Sequence, residues 1–186
     1  MTSVIVIIAI NLFIFICAQF VPDNIIYDLC VSRASFTHPW QFITSMFLHT
    51  EFFHILGNMY TLYFFGTAIC RILDEKKFLL IYFIGGIAGG IFFALLAPHY
   101  SIALGASGAI FAVGAALAVL QPKMKVMVFP IPVQMPLWVA LLGGGILISF
   151  LMSNIAWQAH LGGAVAGALF GLYYRKKYLK SFRYYN

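Results

Sequence analysis

The chain has 186 residues, of which 63% are hydrophobic and 9% charged, with a mean hydropathy of +0.97. So little polar surface cannot cover an ordinary soluble domain, and the length leaves room for a single membrane domain, 1–186, with little else. The net charge of +6 does not point to nucleic acid, because ten of the eleven Lys and Arg residues fall in three clusters. These are Arg71 with Lys76 and Lys77, then Lys123 with Lys125, then Arg175, Lys176, Lys177, Lys180 and Arg183. A chain woven through a bilayer with its N-terminus inside puts all three on the inner side, facing anionic headgroups.

Val4–Val21 is the expected first span. It lacks the basic start and small-residue cleavage pattern of a removable signal. Asn11 and Gln19 interrupt it and Pro22 ends it. A long outer connection follows to about Leu48, mixing Asp23, Asp28, Arg33 and His38 with Tyr27, Phe36, Trp40 and Phe42. That composition suits the headgroup level. Phe52–Arg71 is span two, Asp74–Lys77 an inner turn, and Phe78–Ala97 span three. Gly85, Gly86, Gly89 and Gly90 give span three a stripe for close helix packing. Span four runs from about Ala103 to Leu120. The inner segment Gln121–Met135 holds three of the seven prolines and is not expected to be helical throughout. Pro136, in a first helical turn, opens span five to Met152. Ser153–Ala156 is a tight outer turn, and Trp157–Tyr174 is span six before the basic tail. The expected fold class is all-α: a polytopic membrane bundle of six helices with both termini inside. Cys17, Cys30 and Cys70 lie at different depths, so no disulfide is expected.

The polar residues within the spans converge. Gly105-Ala106-Ser107-Gly108 puts a hydroxyl about one turn, roughly 5–6 Å, inside span four between residues too small to shield it. In span two His54 and Asn58 stand at i, i+4, with Thr61 at i+7 on the same face. That face is costly against lipid and should point into the bundle, where it could equally be an interhelical hydrogen-bond cluster. His160 lies one turn into span six, at the depth of Ser107, on the side that carries Gly163, Gly167 and Gly171. Ser107, Gly114 and Ala118 form the expected opposing small face on span four. Close approach there brings an imidazole within reach of a hydroxyl, and histidine is the side chain suited to take a serine proton near neutral pH. All five histidines, His38, His49, His54, His99 and His160, fall in the outer half.

Together these motifs resemble the rhomboid family of intramembrane serine proteases. The resemblance spans nearly the whole chain: six helices, the long first outer loop, His54-x-x-x-Asn58, Gly105-x-Ser107-Gly108 and Ala159-His160-x-x-Gly163-x-x-x-Gly167. It implies that Ser107 is the nucleophile and His160 its general base. The Ser107 backbone N–H with the His54 and Asn58 side chains would form the oxyanion hole, without metal or cofactor. Gly105, Gly108, Phe111, Gly163 and Gly167 would support the site, and His49 looks like a family position that supports the loop. The implied substrates are single-span membrane proteins, cut at or near the outer face of the cell membrane, with no nucleic-acid partner.

Two residues depart from the family's pattern. Trp40-Gln41 stands where Trp-Arg is frequent, which leaves the loop's anchoring charge unaccounted for, and Phe111 replaces a frequent tyrosine. With no third carboxylate in view, helix packing is expected to orient His160. Gly143-Gly144-Gly145 should either make span five the loosest wall and the entry for substrate or serve only tight helix packing. The alternative is a non-catalytic rhomboid-like protein that binds transmembrane clients, but such relatives typically lack the serine or the histidine. A transporter or channel would carry polar groups across the midplane, where spans four and six are small and apolar.

Overall fold

Prolines and charged turns divide the apolar sequence, and the stretches between them are mostly helical in the computed structural model, which describes residues 1–128, 131–152 and 155–183. In chain order the helices are α1 (Thr2–Ala18), the short α2 (Asp23–Leu29) and α3 (Gln41–Thr44), α4 (Phe52–Ile72), α5 (Glu75–Leu96) and α6 (Ser107–Leu120). After a hairpin of β1 (Lys125–Val128) and β2 (Ile131–Pro136) comes a fifth apolar segment, Leu137–Leu151. It consists of α7 (Leu137–Val139), a π-helix (Ala140–Leu147) and α8 (Ile148–Leu151). The long α9 (Trp157–Arg183) ends the described chain. Of the expected outer turn Ser153–Ala156, Ser153 and Asn154 lie outside the described residues.

By length and composition, α5 is the one described helix long and apolar enough to cross a bilayer, with a hydropathy of 2.3 over its most apolar window. Helix α1, helix α6 and the fifth segment are apolar but shorter. The count of six spans is thus not fixed by helix length. The 14 residues of α6 rise only about 21 Å, short of a hydrocarbon core of about 30 Å. Yet α6 is the central helix, buried almost without a break from Gly108 to Leu117. A helix walled by protein does not have to match the lipid.

The interior is built from small residues and the outside from large apolar ones. A Cβ on Gly163 would lie 2.0 Å from the Gly108 carbonyl oxygen, and one on Gly167 would lie 2.0 Å from that of Ala112. On α5, a Cβ on Gly85 would fall 2.1 Å from the Ala112 methyl, and one on Gly89 would fall 2.7 Å from the Ala159 carbonyl. Helices α5, α6 and α9 therefore touch backbone to backbone. Meanwhile Phe13, Phe20, Phe53 and Leu169 point outward, exposed by 67, 85, 82 and 63%. An apolar exterior of this extent is a surface for lipid.

Several expectations change in detail. The small face that α9 meets on α6 is Gly108–Ala112–Ala116, not Ser107–Gly114–Ala118. A four-residue spacing matches the spacing of Gly163, Gly167 and Gly171, whereas Gly114 has rotated toward Phe65 and Leu141. Asp74 accepts the Lys77 N–H at 2.8 Å, a cap that starts α5 at Glu75 rather than Phe78. Pro136 caps α7 from outside rather than sitting in its first turn. The proline-rich segment holds a small antiparallel strand pair, Lys125–Val128 with Ile131–Pro136, which departs from an all-α fold. Helix α9 runs on to Arg183, past the expected end at Tyr174.

The connection between α1 and α4 is folded rather than plain. Ser32 and Ser35 form a reciprocal capping box. Gln41 is buried, accepts from Ser35 Oγ at 2.7 Å and donates to the Asp28 carbonyl at 3.1 Å. Thr44 Oγ1 donates to the Leu29 carbonyl at 2.7 Å. The anchor left open at Trp40-Gln41 is thus supplied by neutral hydrogen bonds. Arg33, the lysine or arginine outside the clusters, donates to His99 Nδ1 at 3.2 Å and ties this connection to the loop between α5 and α6.

Candidate active site

The serine stands at the very start of a helix. Ala103 pairs with Val31 through two 2.9 Å backbone bonds, and Gly105 N–H reaches the Ser45 carbonyl at 2.8 Å. Gly105 has φ +119°, a conformation that favours glycine and breaks the helical path. Helix α6 therefore begins at Ser107, not at Ala103, and Ser107 is its first residue rather than one turn inside. Hydropathy could not detect this, because Ala103 and Leu104 are as apolar as the helix they precede. The consequence is chemical: the first N–H groups of a helix have no partner within it and carry the positive end of its dipole.

His160, in the first turn of α9, presents Nε2 to Ser107 Oγ at 2.9 Å. Its ring stacks on Phe111, with centroids 4.2 Å apart and planes at 14°. The phenyl ring stacks without a phenolic hydroxyl. The ring's other nitrogen, Nδ1, is 2.9 Å from Ser149 Oγ. Ser149 belongs to the fifth segment and was not singled out from the sequence. The available signal was a lone hydroxyl in the apolar run Leu137–Leu151.

Helix α4 brings His54 and Asn58 to the same corner. A Cβ on Gly105 would lie 2.9 Å from His54 Nε2 and 3.6 Å from Asn58 Nδ2. Thr61, the third member of that face, donates instead to the Gly57 carbonyl at 2.8 Å. His49 is fully buried and does more than support a loop. Its Nε2 meets Asn58 Nδ2 at 2.9 Å and the Ala106 N–H at 3.4 Å. Since both partners are donors, Nε2 accepts and the ring proton sits on Nδ1. Burial and the neighbouring His54 push His49 down to about 4, so the ring is neutral as this pairing requires. The second amide hydrogen of Asn58 has no hydrogen-bond partner among the described residues. A cavity of about 30 Å³ adjoins Ser107, lined also by Ser45, Gly105 and Gly108, with room for a water molecule.

All the polar site residues lie at one end of the bundle, and the basic clusters lie at the other. Helices α4, α6 and α9 each run from a site residue toward Arg71, Lys123 or Arg175. Glu75, beside the first of these clusters, accepts the N–H groups of Thr2 and Ser3 at 3.0 Å, so the start of α1 shares the basic end.

The helical bundle thus has the apolar exterior of a membrane protein and holds a serine and a histidine in hydrogen-bond contact near one end. The chain belongs to the rhomboid family: the family's Rhomboid domain matches residues 37–177. It is 34% identical over 147 residues to "Rhomboid protein 1, mitochondrial" of Saccharomyces cerevisiae, a match covering 72% of this chain and 41% of that one. It is 35% identical over 171 residues to "RHOMBOID-like protein 12, mitochondrial" of Arabidopsis thaliana, covering 81% and 50%. To "Rhomboid protease GluP" of Bacillus subtilis it is 35% identical over 130 residues, covering 69% and 24%. The matches span half or less of each of these relatives. The family is membrane-embedded, which fits the apolar exterior, and it includes proteins named as proteases.

Proposed function

We propose that this protein is an intramembrane serine endopeptidase. The observation that carries the reading is the 2.9 Å contact between His160 Nε2 and Ser107 Oγ, with His54, Asn58 and a helix N-terminus around it. Ser107 Oγ attacks the scissile carbonyl carbon while its proton passes to His160 Nε2. The negative charge that develops on the carbonyl oxygen is met by the Ser107 N–H and the side chains of His54 and Asn58. As the C–N bond breaks, His160 returns the proton to the leaving amine. A water then attacks the ester carbon, with His160 again as base, and Ser107 is freed.

The substrates are single-span membrane proteins whose helix unwinds locally to offer its backbone. The six apolar segments form six spans of one domain. The site opens to the outer face of the cell membrane, and both termini are cytoplasmic, because the basic clusters gather at the end away from Ser107. Oligomeric state does not enter the mechanism.

The test is purified protein in detergent with a model single-span substrate, the fragments read by mass spectrometry. Cleavage in wild type, its loss in Ser107→Ala and in His160→Ala, and a double variant no worse than either are the expected outcome. A fluorophosphonate should label wild type at Ser107. Turnover retained by folded Ser107→Ala would sink the reading.

A further inference from the structure

A hydroxyl has one hydrogen to donate and two lone pairs that accept. Ser149 Oγ contacts two groups: the Gly145 carbonyl oxygen, four residues back in the same segment, and Nδ1 of His160 at 2.9 Å. A carbonyl oxygen only accepts, so the Ser149 hydrogen goes to Gly145. The oxygen of Ser149 then meets Nδ1 as an acceptor, which puts the hydrogen of the neutral imidazole on Nδ1. Nε2 is left with its lone pair, 2.9 Å from Ser107 Oγ. That is the tautomer a general base needs. The opposite one would aim an N–H at the serine and have nowhere to receive its proton.

We propose that Ser149 is a positioning residue that fixes His160 in the Nδ1–H tautomer, making the fifth segment part of the catalytic apparatus. The proposal takes its catalytic meaning from the Ser107–His160 reading above. Ser149 is 3% exposed, a depth at which an unpaired hydroxyl is costly. The π-helix and its glycines are what bring it there. A Cβ on Gly145 would lie 2.4 Å from the Phe111 ring, so glycine lets the segment close onto the residue that stacks on His160. Stacking by Phe111 fixes the ring plane, but it cannot tell one nitrogen from the other. Ser149 makes that distinction. When Ser107 Oγ bonds to the carbonyl carbon, its proton moves to Nε2 and the ring becomes a cation bearing both hydrogens. The Nδ1 hydrogen stays on Nδ1 and is donated to Ser149 Oγ, and the Nε2 proton later leaves with the amine. Ser149 gains and loses no proton in either step.

The test compares Ser149→Ala and Ser149→Val with Ser149→Thr, since threonine keeps the hydroxyl at the volume of valine. In protein labelled with 15N histidine, His160 resonances are assigned by their loss in His160→Ala. At neutral pH, wild type and Ser149→Thr should carry the ring hydrogen on Nδ1 alone, whereas Ser149→Ala and Ser149→Val should show both tautomers. For a single-span substrate, kcat should fall about 10–100-fold in the Ala and Val variants with KM little changed, and Thr should restore it. An unaltered Nδ1–H tautomer, or an unaltered kcat, in folded Ser149→Ala and Ser149→Val overturns the proposal. If wild type neither cleaves substrate nor reacts with a fluorophosphonate, the dyad reading falls instead, and the NMR comparison still decides whether Ser149 sets the tautomer.

Discussion

The two walls of the site are built on opposite plans. Between α6 and α9, below the Ser107–His160 contact, glycines of α9 lie directly on the backbone of α6, and a single methyl on Gly163 or Gly167 would overlap a carbonyl oxygen. Across the site, the fifth segment winds as a π-helix, turns Leu142, Leu147, Phe150 and Leu151 outward, and leaves Gly143 and Gly144 with nothing within 4 Å. The stiff wall carries Ser107 and His160, 2.9 Å apart, and the proton transfer proposed between them needs that separation held to within a few tenths of an ångström. The soft wall carries Ser149, which meets His160 at Nδ1, the nitrogen away from Ser107. Of its three glycines, Gly145 lies against the Phe111 ring, while Gly143 and Gly144 have open space beside them.

The largest effect should come from the oxyanion side. Asn58→Ala is expected to lower turnover about 10²–10³-fold with a much smaller change in KM, because its bond strengthens as charge develops. Proportionate loss of thermal stability and activity would make the His49–Asn58 pair a structural clamp instead.

The same substitution made in both walls tests the comparison directly. Gly167→Ala should cost about 3 kcal/mol or prevent folding, since the methyl meets rigid backbone. Gly144→Ala should change stability by less than about 1 kcal/mol, with the sign favouring alanine in a helix. Equal melting temperatures for the two variants would end the distinction between stiff and soft walls.

A graded effect should follow pH. His49 is neutral in the folded protein down to about 4, whereas in the unfolded chain it gains a proton below the ordinary value of 6.5. Its contribution to stability is full above pH 6.5 and is lost as the pH falls toward and through about 4, with a slope of at most about 1.4 kcal/mol per pH unit. Melting temperatures across that window should drop less steeply in His49→Gln than in wild type.

The smallest effect concerns entry of substrate past the soft wall. Phe150 sits edge-on to Trp157, with centroids 5.3 Å apart, and so links the fifth segment to α9. In a background without the three native cysteines, Phe150→Cys and Trp157→Cys bridged by a short bifunctional thiol reagent should slow a transmembrane substrate several-fold. A short soluble peptide should be spared. Equal rates for the bridged and unbridged protein on the transmembrane substrate would move the entry elsewhere.

The sequence by itself determined the family, the helical character and the residues that meet. Hydropathy and proline placement mark the helices, and the motifs around His54, Ser107 and His160 are local enough to read. The spacing of Gly163, Gly167 and Gly171 foretells a close helix contact, because a bare backbone at every fourth residue serves little else in a membrane. What it could not supply was anything fixed by a distant partner. Helix α6 starts at Ser107 because Val31 and Ser45 hold the preceding residues in an extended path. Gln41 became an anchor because Ser35 and the Asp28 carbonyl lie beside it once the loop is folded. His49 acquired its bond to Asn58, and Ser149 its place on His160, only when segments remote in the chain packed together. A hydroxyl or an amide is indifferent to its role until a partner's geometry selects donor or acceptor, and that selection is made by tertiary structure alone.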